Sequence, residues 1–143
     1  MRDQGATARV VFGEVAATAR ALNESARPEL QAIGRRLGDA LQAWVKATEF
    51  LAGDAKNGLA GPLTAAVPYL HLAVTVCGGW LMGRAALAAA SYLDRGEGDQ
   101  VFYRGKIATA HFYADQMLPQ AAAYSATVQA GGASLAAVSD EML

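Results

Sequence analysis

The residues of this chain with chemical potential are few and far apart. Its two imidazoles are His71 and His111, its one thiol is Cys77, and two cations, Arg84 and Lys106, stand among apolar and aromatic neighbours. Two histidines hold a metal only with further donors, and no Glu-x-x-His pair accompanies either one. Each is read as a satisfied or solvent-edge side chain. A single cysteine excludes an internal disulfide framework and a thiolate cluster, and its apolar surroundings favour a buried, inert thiol. Ser91, Ser125, Ser134 and Ser139 lack the elbow context that exposes a nucleophile. The segment GGWLMG at 78–83 has no lysine and lies within a helical stretch, so it is not a phosphate loop. A lone cation on an apolar helix is usually paired or snorkelling; Asp94, Glu97 and Asp115 are the candidate partners of Arg84 and Lys106 in an interhelical ion pair that fixes register, and the alternative is a contact for an anionic ligand or a neighbouring subunit. Tyr103, Phe112, Tyr113 and Tyr124 are expected in the core or an interface. No acid, base and oxyanion donor assemble, so no catalytic, cofactor-binding or metal-ligating residue is assigned.

The elements that position these side chains read as helices. Hydrophobic residues make up 53% of the chain, much of it alanine, the best helix former. No sustained period-2 alternation supports strands. Most charged side chains lie within residues 1–56, whereas Asn57 to Leu93 carries Arg84 alone. A stretch with so little to offer water must be covered by protein or lipid.

Four helices account for most of the sequence. The first, about 6–24, places Val11, Val15, Thr18 and Leu22 on one stripe. Pro28 suits the first turn of a second helix, about 28–52, whose stripe of Leu30, Ile33, Leu37, Leu41, Trp44, Thr48 and Leu51 is close to a heptad seam. Gly53 is its expected C-cap. The third runs from Tyr69 to Leu93 after a broken or kinked start, because Pro62 and Pro68 both disfavour helix at the residue before them. Gly79 and Gly83 stand one turn apart and should admit a neighbouring backbone. The turn DRGEGD ends with Asp99 as N-cap of a fourth helix, about 100–129. Its stripe is Tyr103, Ile107, Ala110, Ala114, Met117, Ala121, Tyr124 and Val128, with a kink expected near Asp115–Gln116 from Pro119. Gly131-Gly132 closes it, and residues 134–143 add at most a frayed turn. Short links favour an all-α, antiparallel up-and-down four-helix bundle with a short C-terminal tail, formed by residues 1–143 as a single domain, a length at which about 68–70% of the unfolded surface is buried.

Composition also excludes functions. The formal net charge is −1, with no basic face to displace counterions from nucleic acid. A membrane span needs about 20 apolar residues in a row. The densest run, Tyr69 to Gly83, is shorter, holds His71 and three glycines, and is bounded by Pro68 and Arg84. A covered bundle helix is the expected reading. Val10-Val11-Phe12 is broken by Gly13 and Glu14, too soon for a secretory leader; with one free thiol this points to a cytoplasmic setting. The opening MRDQGA is equally a natural start or the edge of a longer chain.

The segments PYLHLAVTVCGGWLMGRAALAA and DQVFYRGKIATAHFYADQMLPQAAAYSATVQAGGASL together resemble the helical C-terminal extension of acyl-CoA dehydrogenases, the 3-methylmercaptopropionyl-CoA dehydrogenase-like subgroup. The resemblance rests on Tyr69-Leu70, Gly79-Trp80-Leu81, Phe102-Tyr103 with Lys106, Thr109-Ala110, Phe112-Tyr113, Leu118-Pro119 and Gly131, and it is strongest over residues 60–138. That pattern often has arginine where His111 stands, so an ion pair there is expected to be missing. The resemblance implies a parent that dehydrogenates the α and β carbons of an acyl-CoA with FAD. It places the flavin site and the catalytic glutamate in an upstream core that matches nothing here. The chain is then an accessory domain without a cofactor of its own, partnered by that dehydrogenase core or by a second copy of itself. The alternative is a free-standing helical dimerisation or interaction module, motivated by more apolar surface on the third helix than one bundle covers. A peripheral membrane contact through the same surface is a third reading.

Overall fold

The computed structural model describes residues 6–54 and 60–132, and five α-helices with no strand make up those stretches. They are α1 (Ala6–Asn23), α2 (Pro28–Asp54), α3 (Ala60–Arg95), α4 (Gln100–Gln116) and α5 (Gln120–Ala130). The tail expected at 134–143 lies outside the described residues.

Each boundary has a local cause. Pro28 opens α2, where its missing N–H is no loss, and the Ser25 hydroxyl accepts from the Arg27 N–H (3.2 Å) in the link before it. Helix α2 runs one residue past Gly53, which is therefore part of the last turn and not a left-handed cap. Asp99 caps α4 as expected, its Oδ1 accepting from the N–H groups of Val101 (2.9 Å) and Phe102 (3.0 Å). The turn between α3 and α4 needs left-handed backbone at Gly96 and Gly98, both at φ 67°.

Two proline expectations are corrected. Helix α3 is not broken before Tyr69; it runs unbroken from Ala60 through Pro68. Pro62 falls in its first turn, where no intrahelical donor is needed, and Pro68 removes a single donor from a helix held along its length by its neighbours. The opposite happens near Pro119. There the helix is not merely kinked but ends at Gln116 and restarts at Gln120. The N–H groups of Met117 and Leu118 both reach the Tyr113 carbonyl (2.9 and 3.3 Å), and Gln120 and Ala121 bond back only three residues. At this break Met117 is exposed and Leu118, 2% exposed, takes the core position that the expected stripe gave to Met117.

The helices pack as a bundle around α3, which touches all four others. Its buried side carries Leu72, Val76, Ala86, Ala89 and Ala90. Against it lie Val15 and Leu22 of α1 and Leu30, Ile33 and Leu37 of α2, all essentially sealed from water. Burying a side chain of this size contributes about 1.5–3 kcal/mol. The α2 stripe is close to the expected one, with Ala40 and Ala47 buried more deeply than Leu41 and Thr48. Close backbone approach occurs at Gly34, not at Gly79 or Gly83. A Cβ on Gly34 would lie 2.9 Å from the Ala19 carbonyl oxygen, whereas Gly79 faces the Leu118 side chain and Gly83 the Leu22 side chain.

Candidate functional site

Because α3 is apolar on every side, its neighbours decide which of its residues meet water. Leu63, Val67, Leu70, Val74 and Leu81 recur at helical spacing along one face, and each is more than half exposed. On the flank toward α4, Tyr113 leans over Gly78 and donates to the Thr75 carbonyl (3.0 Å). Further along, Tyr92 stacks on Tyr103 (4.8 Å, 5°), and Phe102 meets Tyr103 edge-on (5.6 Å). On the flank toward α1, Trp80 donates through Nε1 to the Thr18 hydroxyl (2.9 Å). The outcome is a long apolar face with aromatic shoulders.

The two lone cations, Arg84 on α3 and Lys106 on α4, are not ion-paired in the way the sequence suggested. Arg84 lies over the Trp80 ring (5.5 Å) and Lys106 over Phe102 (5.1 Å). Among the described residues neither meets a carboxylate. The three expected partners are engaged elsewhere: Asp94 by Arg27 (2.7 Å), Glu97 by Arg95 (3.0 Å) and Asp115 by Arg36 (3.6 Å). Asp115 also lies 3.5 Å from His111 Nε2, a contact that is an ion pair only when the imidazole carries a proton. His71 is exposed and stacks on Tyr124 of α5 (5.5 Å, 20°), so the two histidines serve different contacts.

Cys77 lies half-buried between Val76 and Gly78, and burial raises its thiol above the ordinary 9.0. That is the direction of an unreactive thiol. Burial, and secondarily Cys77, raises the Tyr113 phenol above 10.0. Among the described residues no three His, Cys, Asp or Glu side chains gather. A groove of about 250 Å³ between Arg27, Leu93, Arg104 and His111, and another of about 280 Å³ between Asp39, Lys46 and Gln129, are open and shallow. Both fall below the ~300–1,000 Å³ that encloses a drug-sized ligand.

The family model described as acetyl-CoA dehydrogenase C-terminal like matches residues 11–139. The chain belongs to that family. The matched span takes in most of α1 and all of α2, whose wording is not distinctive, as well as the segments that carried the resemblance. Among curated relatives, the 3-methylmercaptopropionyl-CoA dehydrogenase of Ruegeria pomeroyi is 34% identical over 135 residues. The alignment takes in 94% of this chain but only 23% of that enzyme, so this C-terminal-like domain spans less than a quarter of its relative. Helix α3 is also long and apolar enough, over Pro62–Arg95, to cross a bilayer. Its inner face, however, is packed against four other helices of the domain.

The outer face of α3 is the feature that residue-by-residue inspection for chemistry passes over. Its signal was compositional: a stretch of 37 residues, Asn57 to Leu93, with one charge cannot all be covered by neighbours that must keep their own polar sides in water.

Proposed function

We propose that this chain is a non-catalytic accessory domain of an FAD-dependent acyl-CoA dehydrogenase acting in the cytoplasm. The parent removes hydrogen from the α and β carbons of an acyl-CoA thioester, and this domain contributes packing or oligomer contacts while flavin and catalytic base reside in the core. The observation that carries the reading is the family match over residues 11–139 together with a dehydrogenase relative four times as long. Replacing the matching segment of the Ruegeria pomeroyi relative with this chain tests it. The truncated relative should lose soluble flavoprotein, and the chimera should regain bound flavin and acyl-CoA turnover. An isolated chain that binds FAD or oxidises an acyl-CoA by itself would overturn the reading.

The exposed face of α3 favours one second reading, a free-standing module that pairs with its own copy. Sedimentation of the purified chain decides between them: a monomer over a wide concentration range removes the second.

A further inference from the structure

We propose that the outer face of α3 is the surface on which this domain seats against the dehydrogenase core of its parent, and that Arg84 and Lys106 meet carboxylates on that core. The inference rests on the accessory-domain reading above. Its starting point is the contiguous row of Leu63, Val67, Leu70, Val74 and Leu81, exposed by 71, 63, 61, 61 and 56%. Together they leave on the order of 500 Å² of apolar surface open, within the range in which the largest patch on a monomer is often functional.

Three observations select the occupant. The first is area. A stable free interface covers about 800 Å² on each partner, more than this row supplies, so a freely diffusing copy is poorly held. A covalently attached neighbour needs less, because its effective concentration is in the millimolar range. The second is length: more than three quarters of the relative lies beyond the part this chain matches, so such a neighbour exists in that protein. The third is charge. The exposed cations Arg84 and Lys106 lie over aromatic rings and have no carboxylate among the described residues. A second copy would bring the same cations and an α3 face equally free of acids. A core surface that is apolar with acidic margins satisfies both features.

The chimera with the Ruegeria pomeroyi relative supplies the test, read by carbene footprinting and mass spectrometry of the α3 peptides. In the isolated chain Leu63, Val67, Leu70 and Val74 should be labelled heavily; in the chimera their labelling should fall severalfold, at every protein concentration. A double Leu70→Glu, Val74→Glu variant should restore the labelling of Leu63 and Val67 in the chimera. The same pair in the isolated chain should leave helix content and melting temperature unchanged, because both side chains are already in water. Labelling in the chimera as heavy as in the isolated chain overturns the proposal. So does protection that appears only as concentration rises, which indicates a second copy, or only on adding anionic vesicles, which indicates a lipid surface. A chimera with bound flavin and full turnover but an unprotected α3 defeats this inference alone, whereas one without flavin or turnover counts against the parent reading itself.

Discussion

Leu72 and Leu70 stand two residues apart on α3; the first is fully buried and the second is 61% exposed. The same contrast runs the length of the helix. Leu72, Val76, Gly79, Gly83, Ala86 and Ala90 face the bundle, while Leu63, Val67, Leu70, Val74 and Leu81 face away. Both rows are apolar and both repeat at helical spacing. What separates them is size: the inner row thins to glycine where Leu118 and Leu22 press in, and the outer row carries large side chains at Leu63, Val67, Leu70, Val74 and Leu81. A closely fitted inner face beside an outer row that is apolar and open is the contrast on which the proposed seating against the dehydrogenase core rests.

The contrast predicts unequal mutational costs. Leu72→Ala should destabilise the isolated domain by about 2–5 kcal/mol, the range for emptying a packed leucine site. Leu70→Ala should stay within about 0.5 kcal/mol, as exposed substitutions do. Urea unfolding of the two variants measures the difference directly. Equal costs would mean that the outer row is covered by the domain itself.

Glycines sharpen the same point at the next level of effect. Gly79→Ala would place a Cβ 2.5 Å from Leu118 Cδ2 and 3.1 Å from its Cγ. Leu118 is 2% exposed and has little room to yield, so the expected cost is about 1–3 kcal/mol. Gly105→Ala meets nothing within 4 Å and should instead stabilise α4 by about 0.4–1 kcal/mol. Opposite signs in thermal melts support a tight seam between α3 and the α4–α5 break; like signs would show a loose one.

How much of this was legible follows from where polarity marks a face. Helix α2 has charged residues on one side, so its buried Leu30, Ile33, Leu37, Trp44 and Leu51 were readable from spacing alone. Helix α3 has no such marker, and nothing in its sequence distinguishes Leu70 from Leu72. The α4–α5 stripe failed at two points, where Leu118 and Ser125 are buried in place of Met117 and Tyr124. From Ala114 and from Ala121 a step of three and a step of four serve a helical face equally well, so spacing alone could not choose Leu118 over Met117 or Ser125 over Tyr124. The partners of Arg84 were misassigned because sequence proximity cannot show that Arg27, 67 residues from Asp94, claims that carboxylate first.

Tyr113 occupies the edge between the two faces, half-buried, with its hydroxyl on the Thr75 carbonyl. Tyr113→Phe removes that bond and should cost about 0.5–1.5 kcal/mol, the usual net contribution of one hydrogen bond. A cost near zero, measured by urea unfolding, would mean that water replaces the hydroxyl and that the open face begins on the near side of this ring.

The smallest expected effect is a dependence on alkaline pH that locates the same edge by titration. Cys77 and Tyr113 both hold their protons more tightly in the folded chain than their ordinary values of 9.0 and 10.0. Burial disfavours the thiolate and the phenolate, and for Tyr113 the neighbouring Cys77 adds to it. Above about pH 9 the unfolded chain therefore releases protons that the folded chain retains, and unfolding gains as pH rises. The contribution of these groups is complete below that pH and is lost above it. Melting temperature should accordingly fall more steeply in alkali for the native chain than for a double Cys77→Ala, Tyr113→Phe variant, after each is referred to its own value at neutral pH. Identical slopes would mean that both groups ionise as freely in the fold as in the open chain, and would move the boundary of the exposed face inward past Cys77.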